Sequence, residues 1–189
     1  TFPGKIVVID NERDADNAVL QLNNERIIGF DTETRPTFKK GKSNHVALIQ
    51  LSTHDTCYLF RINRIGFTPA IKNLLENESL LKVGISLKDD FCMLSRLNGG
   101  QFIPKNFIEL QKFVKKYNIE DQSLQKIYGI VIGKKISKGQ RLSNWEADHL
   151  TENQQLYAAT DAWSCIKIYE VLKSGKFKSP IYKIQPSSL

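Results

Sequence analysis

Asp31 and Glu33 stand two residues apart in Asp31-Thr32-Glu33-Thr34, at the end of the run Arg26-Ile27-Ile28-Gly29-Phe30. That run is apolar, compact and partly β-branched, so it reads as a buried strand. Residues two apart on a strand point to one face, and the two carboxylates therefore project side by side from its C-terminal end. At about 5 Å and an effective dielectric near 20, such a pair repels by roughly 3 kcal/mol. A divalent cation between the two carboxylates removes the repulsion, and metal-assisted chemistry is what this spacing offers. An isolated Asp-x-Glu more often marks a solvated turn, so the metal reading requires other acids to converge on it.

Two further segments supply candidates. Asp90 follows the strand at 80–84 by a short connection and falls in the first turn or so of a helix, where an Asp can also simply complement the helix dipole. Its neighbour Asp89 faces another way on a helix, so only one of the two can join a cluster. Tyr157 and Asp161 are four apart in Leu156-Tyr157-Ala158-Ala159-Thr160-Asp161-Ala162, which sets them one turn apart on one helix face. Small residues let that helix approach a sheet closely. A carboxylate in such a place is costly without a cation or hydrogen-bond donors; the alternative is a packing Tyr beside a solvated Asp.

The elements that must carry these residues can be traced from periodicity. An edge strand is expected at 5–10, a helix at 14–25 and the central strand at 26–33. Strands at 46–51 and 56–60 form a hairpin around Ser52-Thr53-His54-Asp55. A helix with Pro69 in its first turn covers 68–77. A strand at 80–84, a helix at 87–97, a last strand at 107–110 and a helix at 123–132 follow. Thr151 caps a long helix running to about Lys173. Three meandering strands followed by alternating helices and strands predict an α/β domain, a mixed central sheet with helices on both faces. One domain is expected over 1–175, with a polar tail over 176–189.

The 189 residues carry 27 Lys plus Arg against 20 Asp plus Glu, a net charge of +7, which favours an anionic partner such as nucleic acid. No apolar run approaches the roughly 20 residues of a membrane span, and no signal-peptide pattern opens the sequence. The three cysteines, Cys57, Cys92 and Cys165, are scattered and odd in number, so a disulfide framework and a zinc site are not expected. The expected location is intracellular: cytoplasmic, or nuclear in a eukaryote.

The order of these acids resembles the pattern of the DEDD-type 3′–5′ exonucleases, the DnaQ-like branch of the ribonuclease H-like fold, and Tyr157 marks the subgroup with a tyrosine. Val46-Ala-Leu-Ile-Gln-Leu-Ser52, Lys82-Val-Gly-Ile85, Ser143-Asn-Trp145 and Leu150-Thr-Glu-Asn-Gln154 are similar to the Werner-type exonuclease domains and their bacterial relatives, and more distantly to ribonuclease D. The resemblance runs from about Ile27 to Tyr169. It implies a catalytic set of Asp31, Glu33, Asp90, Tyr157 and Asp161. The four acids would hold two divalent cations, Mg²⁺ or Mn²⁺, with Asp31 bridging both, Glu33 and Tyr157 orienting the attacking water, and Asp90 and Asp161 completing the two coordination shells. The substrate would be a nucleic acid with a free 3′ end, with DNA expected ahead of RNA. The alternatives are RNA trimming of the ribonuclease D kind and a non-catalytic nucleic-acid-binding module. No membrane or protein partner is implied.

Phosphate contacts are expected from Lys39, Lys40 and Lys42 after the active strand, and from Lys134, Lys135, Lys138 and Arg141, although solvated basic loops would look the same. Lys112, Lys115 and Lys116 read as a solvated face. Trp145 reads as a core anchor rather than a base-stacking platform. Thr34 stands where Werner-type domains often carry a bulky aromatic, so any wedge between terminal bases is weaker here or comes from elsewhere, with Phe38 a candidate.

Overall fold

The computed structural model describes residues 1–37 and 44–179. Its elements in chain order are β1 (Lys5–Ile9), α1 (Glu12–Leu22), β2 (Ile27–Thr34), β3 (Val46–Ser52), β4 (Thr56–Phe60), α2 (Ile62–Ile65), α3 (Pro69–Leu75), β5 (Leu81–Gly84), α4 (Leu87–Leu97), β6 (Phe107–Glu109), α5 (Leu110–Phe113), a 3-10 turn (Val114–Tyr117), α6 (Leu124–Ile132) and α7 (Glu152–Lys173). The strands form one mixed sheet in the order β1-β4-β3-β2-β5-β6. β2, β3 and β4 are the antiparallel meander, while β1, β5 and β6 join by parallel pairing. The expected mixed sheet and edge strand are both present.

Strand alternation divides the core in two and fixes where the acids point. Ile28 and Phe30 of β2 enter the cluster that holds Leu22 of α1, Leu74 of α3 and Leu94 of α4. Gly29 faces the other way, towards α7. A Cβ at Gly29 would lie 1.9 Å from the carbonyl oxygen of Ala162, so only glycine allows β2 and α7 to come this close. Ala158, Ala159 and Ala162 are fully buried on the helix side of the contact. By the same alternation Asp31 and Glu33 share the face of Gly29 and look towards α7.

α7 buries residues around most of its circumference, from Gln154 to Leu172, as expected of a helix lying in the core. Its start is fixed by a capping box. The Thr151 hydroxyl accepts from the Gln154 amide at 3.2 Å, and the Gln154 side chain accepts from the Thr151 amide at 2.9 Å. Gln154 Nε2 also donates to Ser143 Oγ and to the Asn144 carbonyl, both at 3.2 Å. The 143–145 loop is thereby tied to the first turn of α7, and Trp145 is a fully buried core anchor. Arg61, itself buried, donates to the carbonyls of Ala147 and Asp148. It joins the end of β4 to the same loop.

The sequence did not announce α2, α5 or the 3-10 turn. At four residues each, they are too short for a helical period to show. β2 runs one residue beyond expectation, to Thr34, through a register irregularity between Glu33 and Thr34. Lys112, Lys115 and Lys116 are exposed. Lys39, Lys40, Lys42 and Phe38 lie outside the described residues, as does the tail from 180 onwards. Among the described residues no helix is long and apolar enough to cross a membrane.

Candidate active site

Three of the acids meet at the C-terminal end of β2, where ligands gather in open α/β sheets. Asp31, Glu33 and Asp161 each offer a carboxylate oxygen, and these atoms lie within 4.8 Å of one another. Glu33 and Asp161 are 7% and 5% exposed. Asp31 Oδ1 accepts from the Thr32 amide at 2.9 Å. Glu33 Oε1 accepts from Gln50 Nε2 at 3.3 Å. Gln50 stands directly opposite Asp31 on β3, the polar residue inside the apolar run of a strand of seven buried residues that ends on Ser52. That position is the signal by which the sequence could have revealed it as part of the site.

The electrostatics of the triad are those of charge held without a counter-ion. Burial, followed by repulsion from Glu33, Asp161 and Asp90, raises the Asp31 carboxyl well above the usual range. Burial and then Asp161 do the same for Glu33. Burial pushes Asp161 up to about 7, although the neighbouring Tyr157 hydroxyl favours its charged form. Tyr157 is raised in turn by burial and by the nearby carboxylates, so it is neutral near pH 7 and acts as a hydrogen-bond donor. Its ring lies 6.1 Å from that of Trp145, which makes the core anchor a wall behind the site.

Asp90 takes a different place. Its carboxylate accepts from the Thr32 hydroxyl and is not a member of the close triad. It is still near enough to repel Asp31 and Glu33, and burial pushes it up to about 7. Asp89 is exposed and adds to the repulsion on Asp90. The four acids are thus arranged as three together and one beside them, rather than as a single symmetric cluster.

Thr32, Glu33, Asp90, Met93, Arg141 and Leu142 line a cavity of about 340 Å³. Arg141 is the cation that draws on Glu33 and favours its charged form. Lys135 and Tyr157 line a second cavity of about 410 Å³. Lys134 and Lys138 are exposed on the loop that follows α6. Thr34, where an aromatic wedge was not found, lies in the wall of the first cavity.

The residues fit a divalent cation on their own chemistry. Asp161 Oδ1 is buried and has no hydrogen-bond partner among the described residues, and it belongs to a set of hard oxygen donors. A buried carboxylate oxygen with neither donor nor cation is strongly disfavoured.

A mixed sheet bearing such acids at the end of its central strand, backed by a long helix that carries Tyr157 and Asp161, defines a nuclease of the DnaQ-like class with a ribonuclease H-like fold. Residues 6–175 match the 3′–5′ exonuclease family, and the chain belongs to that family. Among curated proteins it is 37% identical over 183 residues to the mouse (Mus musculus) bifunctional 3′-5′ exonuclease/ATP-dependent helicase WRN, a match covering 90% of this chain and 13% of that protein. It spans 24% of the Exonuclease mut-7 homolog of Aedes aegypti, to which it is 27% identical. The chain thus covers a small part of the length of these relatives. The Nibbler EXO domain of Aedes aegypti superposes with a TM-score of 0.80 at 23% identity, covering 89% of this chain and 87% of that one. The Escherichia coli exoribonuclease RNase D also reaches 0.80, at 20% identity, over 91% of this chain and 45% of that one. The two structural likenesses establish the fold.

Proposed function

We propose that this chain removes nucleotides from the 3′ end of DNA, releasing nucleoside 5′-monophosphates, with two divalent cations, Mg²⁺ or Mn²⁺, held by Asp31, Glu33, Asp90 and Asp161. The observation that carries the proposal is the close triad of Asp31, Glu33 and Asp161 with its partnerless buried oxygen. Cations bound there would supply an activated water and neutralise the charge that grows on the scissile phosphate.

The chain's own residues set the geometry. Asp31, at the end of β2, lies beside Glu33 and Asp161 and close enough to Asp90 to be repelled by it, so it would be the ligand common to both cations. Gln50 holds Glu33 from below. Tyr157, neutral and braced by Trp145, donates a hydrogen bond that aligns the water or the phosphate rather than removing a proton. Arg141, Lys134, Lys135 and Lys138 contact the strand's phosphates without reading sequence, and Lys39, Lys40 and Lys42 are assigned the same role from the sequence alone. Residues 1–175 form one catalytic domain in this reading. The three described cysteines are free, which accords with an intracellular, reducing location.

Tyr157→Phe keeps the ring against Trp145 and removes the donor. Its turnover is expected to fall by about 10- to 100-fold, the value of one hydrogen bond to a charged group, with divalent-cation affinity within about twofold of the parent. Single-turnover kinetics beside calorimetric Mn²⁺ titration checks this, and full activity in the variant would refute the role.

DNA is favoured by the higher identity to the helicase-linked relative than to RNase D. RNase D, described as an exoribonuclease involved in structured RNA processing, supplies the competing RNA reading. A 5′-labelled DNA strand and an RNA strand of the same sequence are incubated with Mg²⁺, Mn²⁺ or EDTA. A ladder shortened from the 3′ end of DNA first, and abolished by EDTA, is the expected result. Faster shortening of RNA transfers the assignment to RNA trimming. Binding without cleavage in any metal makes the chain a non-catalytic module.

A further inference from the structure

Thr32 sits between Asp31 and Glu33 in the sequence and points away from both. Strand alternation sends its side chain to the opposite face of the sheet, the face of Ile28 and Phe30, against which α4 packs through Leu87 and Leu94. Asp90 belongs to α4 and so approaches the acid triad from that opposite face, around the end of β2. There the Thr32 hydroxyl donates to Asp90 Oδ1. Both residues line the cavity that Glu33 and Arg141 also line.

We infer that Thr32 is a positioning residue, whose hydroxyl holds the Asp90 carboxylate at the end of β2 so that it reaches the second cation from across the sheet. The inference rests on the two-cation reading of the site. Left alone, the Asp90 carboxylate is free to turn, under repulsion from Asp31 and Glu33 on one hand and from Asp89 and Glu109 on the other. One hydrogen bond pins Oδ1 and leaves Oδ2 free to turn towards a cation or its water. Thr suits the task because its branched Cβ restricts the rotation that aims the hydroxyl. The start of α4 is steadied separately. The Ser86 amide donates to Glu109 Oε1 at 3.0 Å, so the helix itself does not depend on Thr32. The residue between two acids of a strand is thus placed by its parity to serve the acid that arrives from the far side.

The test uses Mn²⁺ alone, without nucleic acid, followed by calorimetry and by electron paramagnetic resonance of the bound ion. The parent protein is expected to bind two ions. Thr32→Val should bind the first within about twofold of the parent and the second about tenfold more weakly, a difference of about 1.4 kcal/mol. Thr32→Ser, which keeps the hydroxyl, should restore most of that loss. In an Asp90→Asn background Thr32→Val should add no further loss, because the two substitutions act on one interaction. Thr32→Ala, which only removes atoms, is read in parallel in case valine disturbs the fold. Thr32→Val and Thr32→Ala variants that bind both ions like the parent would overturn the inference. So would a serine that fails to rescue, or a full additional loss in the Asp90→Asn background. A parent protein that binds no pair of ions would instead overturn the two-cation reading itself.

Discussion

Asp31→Asn is expected to remove turnover by at least about 10³-fold while making the metal-free protein more stable. Both effects follow from the position of Asp31. Burial and three neighbouring acids oppose its charged form, so without cations its charge is held against the repulsion of Glu33, Asp161 and Asp90. Asparagine keeps the shape and can still accept from the Thr32 amide, as Asp31 Oδ1 does at 2.9 Å, but it no longer carries charge. Losing one preorganised stabiliser of phosphate charge costs on the order of 10² to 10³ in rate, and in the proposed two-cation site Asp31 would serve both ions. The stability gain is the removed repulsion, on the order of 1–3 kcal/mol at an effective dielectric near 20. Single-turnover cleavage and thermal unfolding in EDTA read the two halves. Retained turnover, or a lower melting temperature in EDTA, would contradict the role given to this residue.

Without divalent cations, stability should fall as the pH rises from about 5 to about 7.5, and saturating Mg²⁺ should abolish the fall. Asp31, Glu33, Asp90 and Asp161 all have carboxyls raised in the folded chain, with Asp90 and Asp161 at about 7 against 3.8 for the free group. Between those values the folded state holds more protons than the unfolded one, so the stability they contribute is complete below about 4 and is lost as the pH climbs through about 7. While one such group titrates, the slope reaches about 1.4 kcal/mol per pH unit. Lys82 acts in the opposite sense but higher up. Burial among β5 and β6 lowers it to about 8, where its ammonium donates to the Asn77 carbonyl at 2.7 Å and lies over the Phe107 ring. Its deprotonation in the folded state adds stability only above that pH. With cations bound, the carboxylates are held charged and the slope between pH 5 and 7.5 should vanish. Each site at 100 times its Kd also adds about 2.7 kcal/mol. Urea unfolding at pH 5 and pH 7.5, in EDTA and in Mg²⁺, measures all four corners. A metal-free protein that is more stable at the higher pH would contradict the account.

The acids could be read from the sequence because each lies in an element whose period fixes its direction. Alternation along β2 placed Asp31 with Glu33, and one helical turn placed Tyr157 with Asp161. Helix phase separated Asp90 from Asp89. The close approach of α7 was visible in Ala158, Ala159 and Ala162, though its partner Gly29 was not singled out. What the sequence withheld depends on which elements meet. Thr32 gains its meaning only once α4 is known to lie on the opposite face, and Gln50 only once β3 is in register with β2. Gln154 was visible as part of a helix start, but its grip on the 143–145 loop depends on how that loop closes. Among the basic residues, Arg141 and Lys135 line the cavities while Lys134 and Lys138 do not, a distinction that loop charge alone does not carry.

The claim that acids from three separate segments hold a pair of cations is tested most directly by diffraction from crystals soaked in Mn²⁺, recorded where manganese scatters anomalously. Two anomalous peaks about 4 Å apart are expected at the end of β2, one against Asp31, Glu33 and Asp161 and the other between Asp31 and Asp90. No peak among those side chains, with manganese confined to surface carboxylates, would contradict it.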